Sequence, residues 1–243
     1  MNQTFVQWLL RATFLFVLAI PMPITLSAQT SNQEYAFFEY NKAYAEYGDA
    51  EAQVILGTCY YLGYGVSQDY YKAAIWYCKA AKQGEAEAQN QLGQCYYYGH
   101  GVLQNYSKAV KWFRRAAKKG YASAQGSLGC CYMHGHGVKQ NYTTAAEWFR
   151  MAAEQGDVAS QCLLAFCYYK GEGVTQNYTE AVVWFRRAAE QGDADAQYVL
   201  GMCYHFGDGV TQNCAEAANW YRKAAKQGSE GAQQALKDLG ETW

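Results

Sequence analysis

Nine cysteines and four histidines are the groups of this chain with the means to pair as disulfides, hold a soft metal or attack an electrophile. Five of the cysteines, Cys59, Cys95, Cys131, Cys167 and Cys203, recur every 36 residues, each directly before a tyrosine. A thiol repeated once per structural unit meets only its counterparts on equivalent helices. Such helices pack about 8–10 Å apart, whereas a disulfide needs Cα atoms within about 7 Å. The ladder therefore reads as small buried thiols. Cys78, Cys130, Cys162 and Cys214 fall outside it, and Cys130 and Cys162 sit where neighbouring helices could let them meet. An odd total leaves at least one thiol free or bonded to another molecule, if the chain is exported. No C-x-x-C spacing of a zinc site is present. His134 and His136, with Cys130 one turn back, offer a soft metal site or plain turn residues. His100, His136, His134 and His205 are read as turn residues exposed to solvent. There is no nucleophile elbow, no S-x-x-K and no phosphate-cradling loop after a strand. The sequence assigns no catalytic, cofactor-binding or metal-ligating residue.

The elements that place these groups follow from the period. From Gln53, Gln89, Gln125, Gln161 and Gln197 the same order restarts: Gln, Leu-Gly, Cys-Tyr, Gly-x-Gly-Val, an aromatic pair beginning with Trp, Ala-Ala and Gly. A fixed period of this length marks a stacked array. In the second copy, Ala88, Leu92, Cys95 and Tyr96 share one face of a first helix expected over Ala86–Tyr98. Gly93 leaves room for a close neighbour. Gly99 and Gly101 end that helix. Asn105 caps a second helix expected over Tyr106–Lys118, as do Asp69, Asn141, Asn177 and Asn213 in the other copies. Glu180, three after Asn177, suggests a capping box. The Asn105, Asn141 and Asn177 sequons are read as caps, not glycan acceptors. Ala109, Trp112, Phe113, Ala116 and Ala117 form the buried stripe of the second helix. The expected fold is all-α: a right-handed superhelical solenoid of antiparallel helix pairs whose first helices line a concave groove.

The ends differ from the body. Arg11, the apolar run Ala12–Ile20, the prolines at 21 and 23 and the small residues to Ala28 read as a secretory signal over residues 1–28. Residues 29–52 hold a capping half-repeat, in which Tyr40, Ala45 and Gly48 match Trp76, Ala81 and Gly84. Five repeats occupy 53–232, and 233–243 form a C-terminal capping helix. The expected location is periplasmic or secreted, with no stable membrane span after cleavage. A formal charge of -1 gives no footprint for nucleic acid or an anionic membrane surface.

Comparing the copies with one another separates scaffold from candidate site. Three places one turn apart on each first helix vary most. They hold Val54, Thr58 and Leu62; Asn90, Gln94 and Tyr98; Gly126, Cys130 and His134; Cys162, Phe166 and Lys170; Tyr198, Met202 and Phe206. Spacing of four puts each trio on one stripe. Lys170 is the one charge among them. The ten from Asn90 to Phe206, without Gly126 and Cys162, form the candidate partner-binding groove. The apolar cluster of Phe166, Tyr198, Met202 and Phe206 is either a docking surface or the seam between neighbouring first helices.

Leu56-Gly57, Gly63-Tyr64-Gly65-Val66, Asp69-Tyr70, Trp76-Tyr77 and Ala80-Ala81-Lys82-Gln83-Gly84, with their later copies, resemble the Sel-one-like repeat family, a relative of the tetratricopeptide repeat. The resemblance covers about residues 34–239. It implies an adaptor or scaffold that binds a protein or peptide, without enzymatic activity. A cysteine-rich secreted branch of the family implies the alternative, penicillin binding or weak β-lactamase activity. That branch staples each repeat with cysteines eight apart. Ala81 and Gln89, and Ala117 and Gln125, stand at those positions here, so the staple is absent.

Overall fold

The computed structural model describes residues 26–242. Most of the expected signal, residues 1–25, lies outside them, and residues 26–28 open the first described helix. That helix, α1 (Leu26–Glu46), precedes five helix pairs. The pairs are α2 (Ala50–Leu62) with α3 (Tyr70–Gln83), α4 (Ala86–Tyr98) with α5 (Tyr106–Lys118), α6 (Ala122–His134) with α7 (Tyr142–Glu154), α8 (Val158–Lys170) with α9 (Tyr178–Glu190), and α10 (Ala194–Phe206) with α11 (Cys214–Lys226). Helix α12 (Glu230–Asp238) closes the described chain. Contacts run from each helix to its neighbours in sequence, as a linear stack requires. The molecule is an all-α solenoid. Helix α1 starts at Leu26, ahead of the half-repeat expected from residue 29. Gly48 still ends this segment at φ 99°, as Gly84 does at φ 107°.

Local chemistry sets these bounds. Asp69, Asn105, Asn141, Asn177 and Asn213 cap the second helices. Their side-chain oxygens accept the N–H groups of Lys72, Lys108, Thr144, Glu180 and Glu216. The capping box expected at Glu180 is half formed, because the Asn177 N–H already donates to the Tyr168 carbonyl at 2.9 Å. Small residues admit large ones: a Cβ on Gly93 would lie 2.6 Å from the Phe113 ring. What approaches Gly93 is thus a ring of the paired helix. The fourth repeat departs from the Leu-Gly pattern with Ala165, and there Phe185 meets Phe166 edge-on at 4.9 Å.

The core repeats with the sequence. Leu56, Leu92, Leu128, Leu164 and Leu200 are buried, as are Tyr77, Phe113, Phe149, Phe185 and Tyr221. All five ladder cysteines are buried, and all nine cysteines are free thiols. Cys130 and Cys162 belong to one hydrophobic cluster without bonding.

Candidate functional site

The variable trios descend from core to solvent along each first helix. Val54, Asn90, Gly126 and Cys162 are buried, while Tyr198 is half-buried. These first members pack toward the next first helix: a Cβ on Gly126 would lie 2.6 Å from Ser160 Oγ of α8, and the Tyr198 ring closes on Gly231 of α12. The middle members Thr58, Gln94, Cys130, Phe166 and Met202 are half-buried. Gln94 Nε2 donates across the seam to Ser127 Oγ at 3.0 Å. Phe166 leans on Phe185, Tyr198 stands 5.8 Å from the Tyr221 ring, and Met202 packs on the cluster around Tyr221. The last members Leu62, Tyr98, His134, Lys170 and Phe206 are exposed. Phe206 is 63% exposed and stacks on His205 at 4.6 Å, and Lys170 Nζ lies 6.0 Å above the Phe166 ring. Of the four residues in the apolar cluster, three are anchored in the core, and Phe206 lies outside it, stacked on His205.

The face is sparse in charge. Across the five first helices the ionisable acids and bases, histidine apart, are Glu51, Glu87, Lys170 and Asp195, whereas α5 alone carries Lys108, Lys111, Arg114, Arg115 and Lys118. Among the described residues no three His, Cys, Asp or Glu side chains gather as a metal site would require. Two shallow surface recesses sit at equivalent places, one beside Tyr132 and Asn141 and one beside Tyr204 and Asn213. Their recurrence marks them as products of the repeat.

Two of the histidines are not plain turn residues. Tyr61 OH meets His100 Nδ1 at 2.8 Å, and Tyr97 OH meets His136 Nδ1 at 2.7 Å. Each imidazole also stacks on a tyrosine of the earlier repeat, Tyr70 at 4.8 Å or Tyr106 at 4.5 Å. In the last such place Tyr169 donates to Asp208 Oδ2 at 2.7 Å. These pairs stand 39 residues apart and tie one repeat to the next. At the remaining interval the sequence has Met133 and Glu172, a thioether and a carboxylate, which offer no donor for such a bond. The signal was present in the sequence as tyrosines at an offset of one repeat plus three. His134 is exposed, 5.5 Å from His136.

The repeated glutamine is a second tie. Gln53, Gln89, Gln125, Gln161 and Gln197 donate from Nε2 to the carbonyls of Ala45, Ala81, Ala117, Ala153 and Ala189 at 3.0–3.3 Å. Four of them also accept, through Oε1, from Gln83, Gln155, Gln191 and Gln227. Lys119 holds that place beside Gln89. Its ammonium turns to the Gly84 carbonyl, and Gln89 Oε1 is left buried without a partner. Lys119→Gln is expected to supply the missing donor and raise stability by about 1 kcal/mol. A denaturant midpoint unmoved by the change would refute the assignment.

Taken with the sequential helix pairs, these ties define an α-solenoid of Sel1-type repeats, a class built to present a long surface. The Sel1 repeat profile matches residues 50–85, 86–121, 122–157, 158–193 and 194–229, and the chain belongs to that family. A Sel1 repeat protein from Oxalobacter formigenes is similar in structure, with 34% identity and a TM-score of 0.75 over 87% of this chain and 86% of that one. A protective antigen present in uropathogenic Escherichia coli strains, displaying an SLR fold, is 33% identical with a TM-score of 0.78. The match covers 100% of this chain and 53% of that one, so this chain spans about half the antigen's length. A Klebsiella pneumoniae sel1 repeat protein shares the fold at 22% identity and a TM-score of 0.56, over 84% of this chain and 99% of that one. No curated protein matches the chain. Sel1 repeat proteins are in general non-catalytic scaffolds that bind other proteins. Among the described residues no helix is long and apolar enough to cross a membrane.

Proposed function

We propose that the chain is an exported, non-enzymatic scaffold that holds a protein or peptide segment along its first helices. The observation that supports this reading most is the row Leu62, Tyr98, His134, Lys170 and Phe206. It is exposed in five successive repeats, varies from copy to copy and carries a single charge, while the second helices are far richer in charge than the first. Varied exposed side chains on a rigid periodic frame are what recognition of an extended or helical segment needs. Export rests on the signal-like residues 1–28.

The test must spare the core. Serine at Phe166, Tyr198 and Met202 would remove packing as well as any binding surface, because all three lean on core residues. Tyr98→Ser/Phe206→Ser alters two residues that are 59% and 63% exposed. In a crosslinking pull-down from the native envelope, the double variant is expected to lose the captured protein by about tenfold or more, with helicity unchanged by circular dichroism. Equal capture by both proteins would move the site off this face.

A further inference from the structure

We infer that the N-terminal end of the array is an interface between two copies of this chain, made by the outward face of α1. Inside the array every boundary is built alike. The tryptophan of each second helix seats on the helix pair before it. Trp76 packs against the cluster of Phe38, Ala45, Leu56 and Cys59, and Trp112 against that of Ala73, Ala74 and Tyr77. One turn further on stands Ala80, Ala116, Ala152, Ala188 or Ala224, and each is 0% exposed. Tyr40 and Tyr44 hold these two places in α1, 36 residues before Trp76 and Ala80. Among the described residues no helix pair precedes them. Tyr40 is 63% and Tyr44 50% exposed, with rings 4.8 Å apart, and Tyr47 is 93% exposed. Ala36 extends the stripe at helical spacing, while Phe37 beside it is half-buried against Tyr64, with ring centroids 5.8 Å apart. Beside it Glu39 and Lys42 neutralise each other at 3.3 Å. The face continues the repeat-to-repeat interface of the interior, where the same positions are always covered.

The opposite end shows which part of a second copy fits. Helix α12 has Lys237 where the repeats have a glycine or Ala165, and it stops before Gly240. The tail then folds back on α11: Arg222 pairs with Glu241 and donates to the Thr242 carbonyl at 3.1 Å. In the interior, Arg114, Arg150 and Arg186 give the matching bonds to tyrosines of the following first helix. The tail thus takes the place those tyrosines hold, and α12 keeps Glu230, Gln234, Lys237 and Asp238 exposed, a polar end that head-to-tail stacking would have to bury. A second copy has its own α1 face left to offer, and two such faces meet about a twofold axis with the same residues on each side. Tyrosine suits the seam, since its ring is buried while its hydroxyl reaches the wet rim.

The test uses the full chain in the form the cell produces. Sedimentation velocity over a wide concentration range is expected to show a monomer–dimer equilibrium. Tyr40→Ser/Tyr44→Ser, two exposed positions, should weaken it about a hundredfold or more while helicity stays unchanged. A benzoylphenylalanine photocrosslinker at position 40, in an otherwise unchanged chain, should join α1 of one copy to α1 of another. A strictly monomeric chain overturns the inference, as does association that ignores the double variant. So does a crosslink from position 40 to α11 or α12 of another copy, to residues 1–25 of its own chain, or to a different protein alone.

Discussion

Replacing Gly137 with alanine is expected to cost about 3 kcal/mol and to break the unfolding of the array into two transitions. Two effects combine. Gly137 has φ 72°, where an L side chain loses about 1–2 kcal/mol. A Cβ there would also lie 2.4 Å from the Tyr106 carbonyl carbon and 2.5 Å from its oxygen. This neighbour is backbone, at the first turn of α5, where the Asn105 cap fixes the chain, so it has no rotamer to change. Forced overpacking of that kind adds about 1–3 kcal/mol. The contact lies at the join of the second and third repeats, and in a linear array each repeat is coupled only to its neighbours. Weakening one join should let the two sides melt separately. Gly156→Ala is the control: its φ of 91° is equally left-handed, but nothing lies within 4 Å of the added Cβ. It should show the conformational cost alone, in a single transition. Equal losses in urea titrations of the two variants would mean that the join carries no special weight.

The sequence made the single repeat legible and left much of the relation between repeats hidden. Helical periodicity and capping chemistry act within a few residues, and they place Ala86–Tyr98 and Tyr106–Lys118 where the structure has them. That the cysteine ladder stays unbonded followed from comparing a helix spacing with the Cα separation a disulfide needs, and its burial from the habit of free cysteine. The ties made by His100, His136 and the glutamines escaped that reading, because each bond joins positions whose offset is set by how units stack. The same holds for the variable trios. Val54, Asn90, Gly126 and Cys162 vary between copies as Tyr98 and Phe206 do, yet they are buried at the seam between first helices. Variation there follows from a neighbour that also varies, such as Ser160 filling the space above Gly126. Spacing of four places three residues on a stripe, but it is the tilt of the next helix that decides which of them it covers. Tyr40 and Tyr44 show the converse: their places are covered ones in the later repeats, whereas here, with no helix pair before them among the described residues, they are exposed.

The thiols give the other large effect. Burial pushes Cys59, Cys95, Cys131 and Cys203 up to about 12 and Cys167 up to about 11. The thiolate is the form that reacts, so at pH 8 a ladder thiol at about 12 is ionised roughly once in ten thousand molecules, against about a quarter for an ordinary cysteine. Native protein treated with iodoacetamide is expected to label Cys214, which is exposed, while the ladder stays protected until denaturant is added. Mass spectrometry of the peptides reads this directly, and ladder labelling at the Cys214 rate in folded protein would refute the packing. The same shifts make an alkaline prediction. A thiol whose folded value is raised stays protonated in the native state after the unfolded chain has begun to ionise near 8.5. Above that point the unfolded state binds fewer protons, so the stability this contributes is full below about pH 8.5 and is lost as pH climbs toward 12. Each ladder thiol that keeps its shift removes about 1.4 kcal/mol per pH unit in that window. The melting temperature should therefore fall steeply between pH 9 and 11, and Cys131→Ala, which takes one thiol out of a fully buried site, should make the fall shallower even as it lowers stability at pH 7.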